Sequence, residues 1–326
     1  MFWFSLVLSY KPIALTSAHR PGIFPPLPPT TFKSRSSSTC RPCCCTKSDL
    51  TKQDEETPEE EETFQVLTAV KSKYNDIVIV DTPKSRMLLL DSTHNVHSVL
   101  QKGDEKWTGS YWDEFATLPP IVPEGPIAIY GLGGGTAAHL MLDVWPSLQL
   151  QGWEIDEILI DKAREYFGLS NLERCNKVGG RLEVHIDDAF SPRQHLPAGY
   201  AGIIIDLFYD GKALSQLQEV ETWLELSDRL MPDGRLMVNC GGVSESSIDG
   251  KLHHQSVDDV WIQNSTIKAL AKAFPGQVNW KRMPKRQGQN YLALTGLLPD
   301  LTSWSAIVPG CLSESVKQWK PCRPFH

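Results

Sequence analysis

A chain of 326 residues, 41% of them hydrophobic, is long enough for one large domain and a smaller companion. No apolar run reaches the roughly 18–20 residues of a membrane-spanning helix, so no membrane partner is expected. The net charge of −7 hides an asymmetry: residues 1–48 hold six basic side chains and no acid, which leaves 26 basic against 39 acidic residues beyond them, a net −13 that should repel nucleic acid phosphates.

Residues 1–48 are also rich in Ser and Pro, as in Pro25-Pro26-Leu27-Pro28-Pro29 and Ser34 to Ser38. A basic, hydroxyl-rich, acid-free leader predicts an organelle transit peptide, plastid ahead of mitochondrion; a secretory signal is disfavoured because no positive region precedes the apolar Met1–Leu8. Cys40-x-x-Cys43 has metal-site spacing, but it lies in this leader and no second pair completes four ligands, so no metal is expected. Cys175, Cys240, Cys311 and Cys322 are scattered as reduced thiols would be. Residues 49–63, dominated by Asp54-Glu55-Glu56 and Glu59 to Glu62, predict a solvated acidic linker.

From Phe64 the pattern favours strands. Asp76–Val80 and Arg86–Leu90 flank a turn at Pro83-Lys84-Ser85, which predicts a small antiparallel module. A helix is expected over Trp107–Leu118, stopped by Pro119-Pro120, and residues 64–122 form the first folded unit. Residues 123–300 then alternate strands and helices. Strands are expected at Ile127–Tyr130, Leu148–Glu154, Leu182–Ile186, Gly202–Asp206 and Leu236–Asn239. Helices are expected at Thr136–Trp145, from the Asp156 cap to Phe167, at Leu214–Leu230 and at Val257–Phe274, with a closing strand pair at Val278–Lys281 and Tyr291–Thr295. This alternation predicts an α/β fold of the doubly wound Rossmann-like type, a mostly parallel sheet with helices on both faces. The tail, residues 301–326, carries no interpretable motif.

The strongest chemical signal is Tyr130-Gly131-Leu132-Gly133-Gly134-Gly135-Thr136, between a buried strand and a helix. Gly131, Gly133, Gly134 and Gly135 suit a nucleotide loop, or simply a tight strand–helix turn. A dinucleotide fingerprint needs Gly or Ala where Thr136 stands. Glu154, 23 residues beyond Gly131, ends the next strand, where a carboxylate can accept both hydroxyls of a ribose; the alternative is a surface glutamate. Asp187-Asp188-Ala189-Phe190 ends the third strand, where an acid can accept from an adenine amino group or merely cap a helix. Asp206 closes Ile203-Ile204-Ile205 at a lip where an acid can orient an amine or act as a base, while Asp210 reads as a solvated loop residue.

Taken in order, these features resemble the spermidine synthase (polyamine aminopropyltransferase) family within the class I methyltransferase-fold superfamily. The resemblance covers residues 64–300. It rests on Leu90-Asp91, Tyr111-Trp112-Asp113-Glu114-Phe115-Ala116-Thr117-Leu118-Pro119, the glycine loop, Glu154-Ile155-Asp156, Asp188-Ala189 and Asp206. It implies a decarboxylated S-adenosylmethionine donor with Glu154 on its ribose, Asp188 and Ala189 at its adenine, Asp206 on the attacking amine and Tyr111 positioning that amine. The chain departs from the family pattern at Gly134, where an Asp is usual, at Asp113, where a Glu is usual, and at Asp206-Leu207-Phe208-Tyr209-Asp210 in place of Asp-Ser-x-Asp-Pro. Three readings follow: aminopropyl transfer to a polyamine, methyl transfer from intact S-adenosylmethionine, or a silent nucleoside- or protein-binding chain. An exposed strand of the N-terminal module can also pair with a copy of itself, giving a homodimer.

Overall fold

The computed structural model describes residues 64–191, 196–242, 257–284 and 289–323. The expected leader, residues 1–48, with its Cys40-x-x-Cys43, and the acidic linker, residues 49–63, lie outside the described residues. Among the described residues no helix is long and apolar enough to cross a membrane.

The first unit is a four-stranded antiparallel sheet in the order β1 (Gln65–Lys71), β2 (Asp76–Asp81), β3 (Ser85–Leu89) and β4 (Ser98–Gln101). The expected turn joins β2 to β3, with the Thr82 hydroxyl accepting from the Ser85 N–H at 2.9 Å. Alternation places Ile77, Ile79 and Leu88 on one face, where they pack on Leu159 and Phe167 of the larger unit.

Helix α1 (Tyr111–Phe115) follows, far shorter than the Trp107–Leu118 helix expected. Gly109 takes a left-handed φ of 67°, and the Asp113 carboxylate turns back to accept from the N–H groups of Thr108 and Gly109 at 2.9 and 2.8 Å. That cap fixes Thr108 and Gly109 outside the helix. Pro119 and Pro120 open a 3-10 turn, Pro119–Ile121.

The larger sheet takes β5 (Ile127–Tyr130), β6 (Gln149–Glu154), β7 (Arg181–Ile186), β8 (Tyr200–Ile205) and, after the hairpin β9 (Phe208–Tyr209) and β10 (Lys212–Ala213), β11 (Leu230–Asn239), β12 (Val278–Arg282), β13 (Tyr291–Thr295) and β14 (Lys320–Pro321). Its spatial order is β14-β12-β13-β11-β8-β5-β6-β7, with β11, β8, β5, β6 and β7 mutually parallel and β13 antiparallel to both neighbours. Helices α2 (Thr136–Val144), α3 (Glu157–Tyr166) and α4 (Leu169–Leu172) cover one face. Helices α5 (Val220–Ser227) and α6 (Ser265–Ala273) cover the other. The expected α/β fold, doubly wound with a small antiparallel module ahead of it, is present. Strand β5 is apolar throughout because both its faces are covered: Ile127 and Ile129 point to one core, Ala128 and Tyr130 to the other.

Two further helices are shorter than expected. The Leu214–Leu230 stretch divides into a 3-10 turn, Ser215–Gln218, and α5, and Leu230 opens β11 instead. The Val257–Phe274 stretch divides at Asn264, whose side chain accepts from the Ile267 N–H and starts α6 afresh. The tail is structured: α7 (Leu301–Ile307) and α8 (Ser313–Val316) lie on the face that holds α2, and β14 extends the sheet. Trp304 and Trp319 stack with ring centroids 6.2 Å apart, and the Trp304 indole donates to the Thr117 carbonyl at 2.8 Å.

Candidate active site

Parallel register makes the site. Tyr130 lies beside Trp153 on one side and Ile205 on the other, and Ile205 lies beside Val238. Gly131, Glu154, Asp206 and Asn239 each come next in their chains, so four polar or glycine positions converge at one sheet edge. This edge includes the point where the connections part to opposite faces, between β5 and β8, and there an open α/β sheet leaves a crevice.

Asp206 is held from two sides. The Tyr111 hydroxyl, carried in by α1, donates to Oδ2 at 3.1 Å, and the Asn239 amide donates to Oδ1 at 2.9 Å. Burial nevertheless lifts the Asp206 carboxyl to about 6, because these hydrogen bonds to the ionised form offset only part of the desolvation cost. Burial, with Asp206 beside it, pushes the Tyr111 phenol well above its usual range, so Tyr111 remains a donor.

Glu154 reaches into the glycine bend. Its Oε2 accepts from the Gly133 N–H at 3.0 Å, and its Oε1 accepts from the N–H groups of Ile155 and Asp156 at 3.0 and 3.2 Å. Burial is the larger influence and raises this carboxyl to about 7. A carboxylate has about four lone-pair positions, so the three backbone donors leave Glu154 roughly one in-plane position for a sugar hydroxyl. A ribose diol that uses both oxygens must loosen one of those backbone bonds.

The loop glycines meet protein before they meet any ligand. Gly131 has φ 84°, and a Cβ there would lie 2.3 Å from the Asp206 carbonyl oxygen, so only glycine lets β5 turn over β8. At Gly134 a Cβ would lie 2.8 Å from the Ser98 Cβ, and the Gly134 N–H already donates to the Ser98 hydroxyl at 2.8 Å. Gly133 and Gly135 complete the bend with left-handed φ angles of 55° and 86°. Ser98 belongs to β4. Beside it the Thr136 hydroxyl accepts from the Val99 N–H at 2.8 Å and donates to the Val99 carbonyl at 3.0 Å.

Asp188 and Ala189, the residues expected at an adenine, sit apart from this cluster. Asp188 is exposed, and its Oδ1 accepts from the Phe190 N–H at 2.9 Å, as in a turn cap. Ala189 is buried, and its carbonyl accepts from Arg229 at 2.6 Å. The buried Arg229 guanidinium also donates to the carbonyls of Phe190 and Ser191 and to the Tyr130 hydroxyl, and so ties the Asp188–Ser191 turn to β5. Asp210 occupies the exposed tip of the β9–β10 hairpin with φ 49° and has no bond to Asp206. Asp113 is spent on its own cap, accepting from Thr108 and Gly109.

Three contributors were missed by sequence reasoning. Asn239 shows the same signal as Glu154 and Asp206, a polar residue closing an apolar strand. Ser98 and Arg229 carry no local signal, since their partners lie 36 and 40 residues away.

No protein-family model matches the chain. A curated relative, the probable polyamine aminopropyl transferase of Bifidobacterium longum (strain NCC 2705), is 25% identical over 219 residues, 67% of this chain and 46% of that protein. The chain thus spans about half the length of the curated relative it matches. Among solved structures, spermidine synthase in complex with the transition state analogue AdoDATO superposes with TM-score 0.51 at 19% identity, covering 72% of this chain and 74% of that one. Spermidine synthase from Thermotoga maritima superposes with TM-score 0.51 at 17% identity, covering 72% and 75%. The fold is spermidine-synthase-like, as the ordered motifs imply.

Proposed function

We propose that this chain is a transferase that binds an S-adenosylmethionine-type nucleoside at the crevice and moves an aminopropyl group from it to a polyamine. The observation that carries the reading is the Tyr111–Asp206–Asn239 arrangement beside the glycine bend. An amine is mostly protonated at neutral pH and cannot attack carbon until it loses a proton. A carboxylate with an ordinary value holds such a cation well but takes its proton poorly. Asp206, raised to about 6, stays mostly ionised at neutral pH and so still holds the cation, while it takes the proton more readily.

The step balances simply. The ammonium gives a proton to Asp206, and the freed nitrogen lone pair forms a bond to the carbon next to the sulfonium. The carbon–sulfur pair then returns to sulfur, which leaves as a neutral thioether. Alignment of the nitrogen with that carbon supplies most of the acceleration. Glu154 holds the ribose, and Asp188 with Ala189 takes the adenine. The proposed setting is a plastid, on the strength of the basic, acid-free residues 1–48.

One observation favours methyl transfer as the second reading. The middle of the glycine loop has no acid, and Ser98 fills the space at Gly134, so no loop carboxylate repels a donor that keeps its own. Titration of the chain with both donor forms separates the two. Tighter binding of the decarboxylated form supports aminopropyl transfer, and tighter binding of the intact form supports methyl transfer. In either case Asp206→Asn should abolish turnover and leave donor affinity nearly unchanged. Undiminished turnover in that variant would remove Asp206 from its role.

A further inference from the structure

The strand-edge register that assembles the site also delivers Asn239, and its hydrogen bonds are constrained. The side chain is 1% exposed. Its oxygen accepts twice, from the Gly241 N–H at 3.1 Å and from the Asn290 amide at 3.0 Å. Both lone pairs of that oxygen are therefore spoken for, and turning the amide over would set its NH2 group against two donors. Its nitrogen must face Asp206 Oδ1, where it donates at 2.9 Å.

We infer that Asn239 is a positioning residue that, oriented by Asn290 and the Gly241 N–H, keeps the Asp206 carboxylate ionised and aimed within a buried site. The inference rests on the proposed role of Asp206 for its functional meaning, but not for its geometry. Tyr111 is the titratable group that faces Asp206 from α1. Asn239 from β11 and the neutral Trp112 indole complete its side-chain surroundings. Among the described residues no Lys or Arg is hydrogen-bonded to Asp206, so neutral donors alone work against its desolvation. Of these the Asn239 bond is the strongest influence.

The decisive measurement is the titration of Asp206 in the unliganded full chain, by carbon-13 NMR of labelled aspartate carboxyls, with Asp206→Asn identifying the resonance. Asn239→Leu keeps the volume and removes the donor. Its carboxyl should titrate higher by about one pH unit or more, since loss of a hydrogen bond to a charged group is worth at least that much. The acid limb of the kcat/KM profile should move by the same amount, with donor affinity within about twofold. Asn290→Leu should move both in the same direction by less, because it frees the Asn239 amide without removing it. A folded Asn239→Leu protein whose Asp206 titrates where it did before overturns the inference. If Asn239→Leu does not fold, Asn290→Leu at the half-buried rim decides it by the same reading. A carboxyl shift in a chain that turns over no amine leaves this inference standing and defeats the proposed function instead.

Discussion

Glu154 and Asp206 lie at the ends of β6 and β8, on either side of β5 at one sheet edge, and both carboxyls are raised, to about 7 and about 6. Both are lifted by burial. Asp206 is relieved by side-chain donors from other elements, and Glu154 by backbone N–H groups of its own loop and of the glycine bend. The raised Glu154 carboxyl has a consequence for the donor. In the proposed complex ribose hydroxyls donate to Glu154 and so favour its ionised form, whereas the free chain at pH 6 holds it mostly protonated. Binding should therefore expel a proton below pH 7. Donor affinity should rise by up to tenfold per pH unit from about pH 5 toward 7 and level off above it. Calorimetric titration in buffers of different ionisation enthalpy reads both the affinity and the proton. Flat affinity across that window would mean that Glu154 does not receive the sugar. The residue scale also explains Gly134: with Ser98 packed on it, any side chain must first push β4 away.

Helix α1 shows how an element is set by partners distant in sequence. The expected Trp107–Leu118 helix takes its end from Pro119-Pro120, and Trp112, Phe115 and Leu118 are buried in the main core. Its real length is decided by the Asp113 cap and by Gly109. Glu114, one turn after Tyr111, pairs with Lys281 of β12 at 2.7 Å, with the two side chains 3% and 1% exposed. Lys281 also donates to the Ser315 carbonyl and hydroxyl in α8, at 2.9 and 2.6 Å. This buried knot fastens the Tyr111 helix to the sheet and to the C-terminal segment. Lys281→Met strands a buried carboxylate and should cost about 3–5 kcal/mol in urea unfolding. The double replacement Lys281→Met with Glu114→Leu should recover most of that loss, because no charge is left uncompensated. A single replacement as stable as the parent would show that Glu114 finds water or another partner.

At the scale of the whole molecule, the small sheet and the large one meet at the glycine bend. The Ser98–Gly134 and Val99–Thr136 bonds join them there, and Ile77, Ile79 and Leu88 pack on Leu159 and Phe167 nearby. The glycine loop of the proposed nucleoside site is therefore also the clasp between the two units. Thr136→Val retains the shape but strands the N–H and carbonyl of Val99, at a cost of about 1–3 kcal/mol. Tryptic cleavage at Lys102 or Lys106 should then accelerate relative to the parent chain. Unchanged cleavage would place the strength of the clasp in the apolar contact alone.

Much of this architecture is legible in the amino-acid order because its causes are local. An apolar run bounded by glycine makes β5, Asp156 caps α3 through the Leu159 N–H as expected, and strand-ending acids mark the edge where parallel register must gather them. Helix lengths were less legible, since they depend on caps such as Asp113 and Asn264 that compete with periodicity. The sequence alone thus determines the α/β class, the order of its elements, and the placing of Gly131, Glu154 and Asp206 at one rim. Only the tertiary structure decides that Ser98 seals Gly134, that Asn239 and Tyr111 grip Asp206, and that the C-terminal segment anchors the Tyr111 helix. The physical reason is that a hydrogen bond between residues a hundred positions apart leaves no periodicity in the chain; it exists only once the sheet has brought its two ends together.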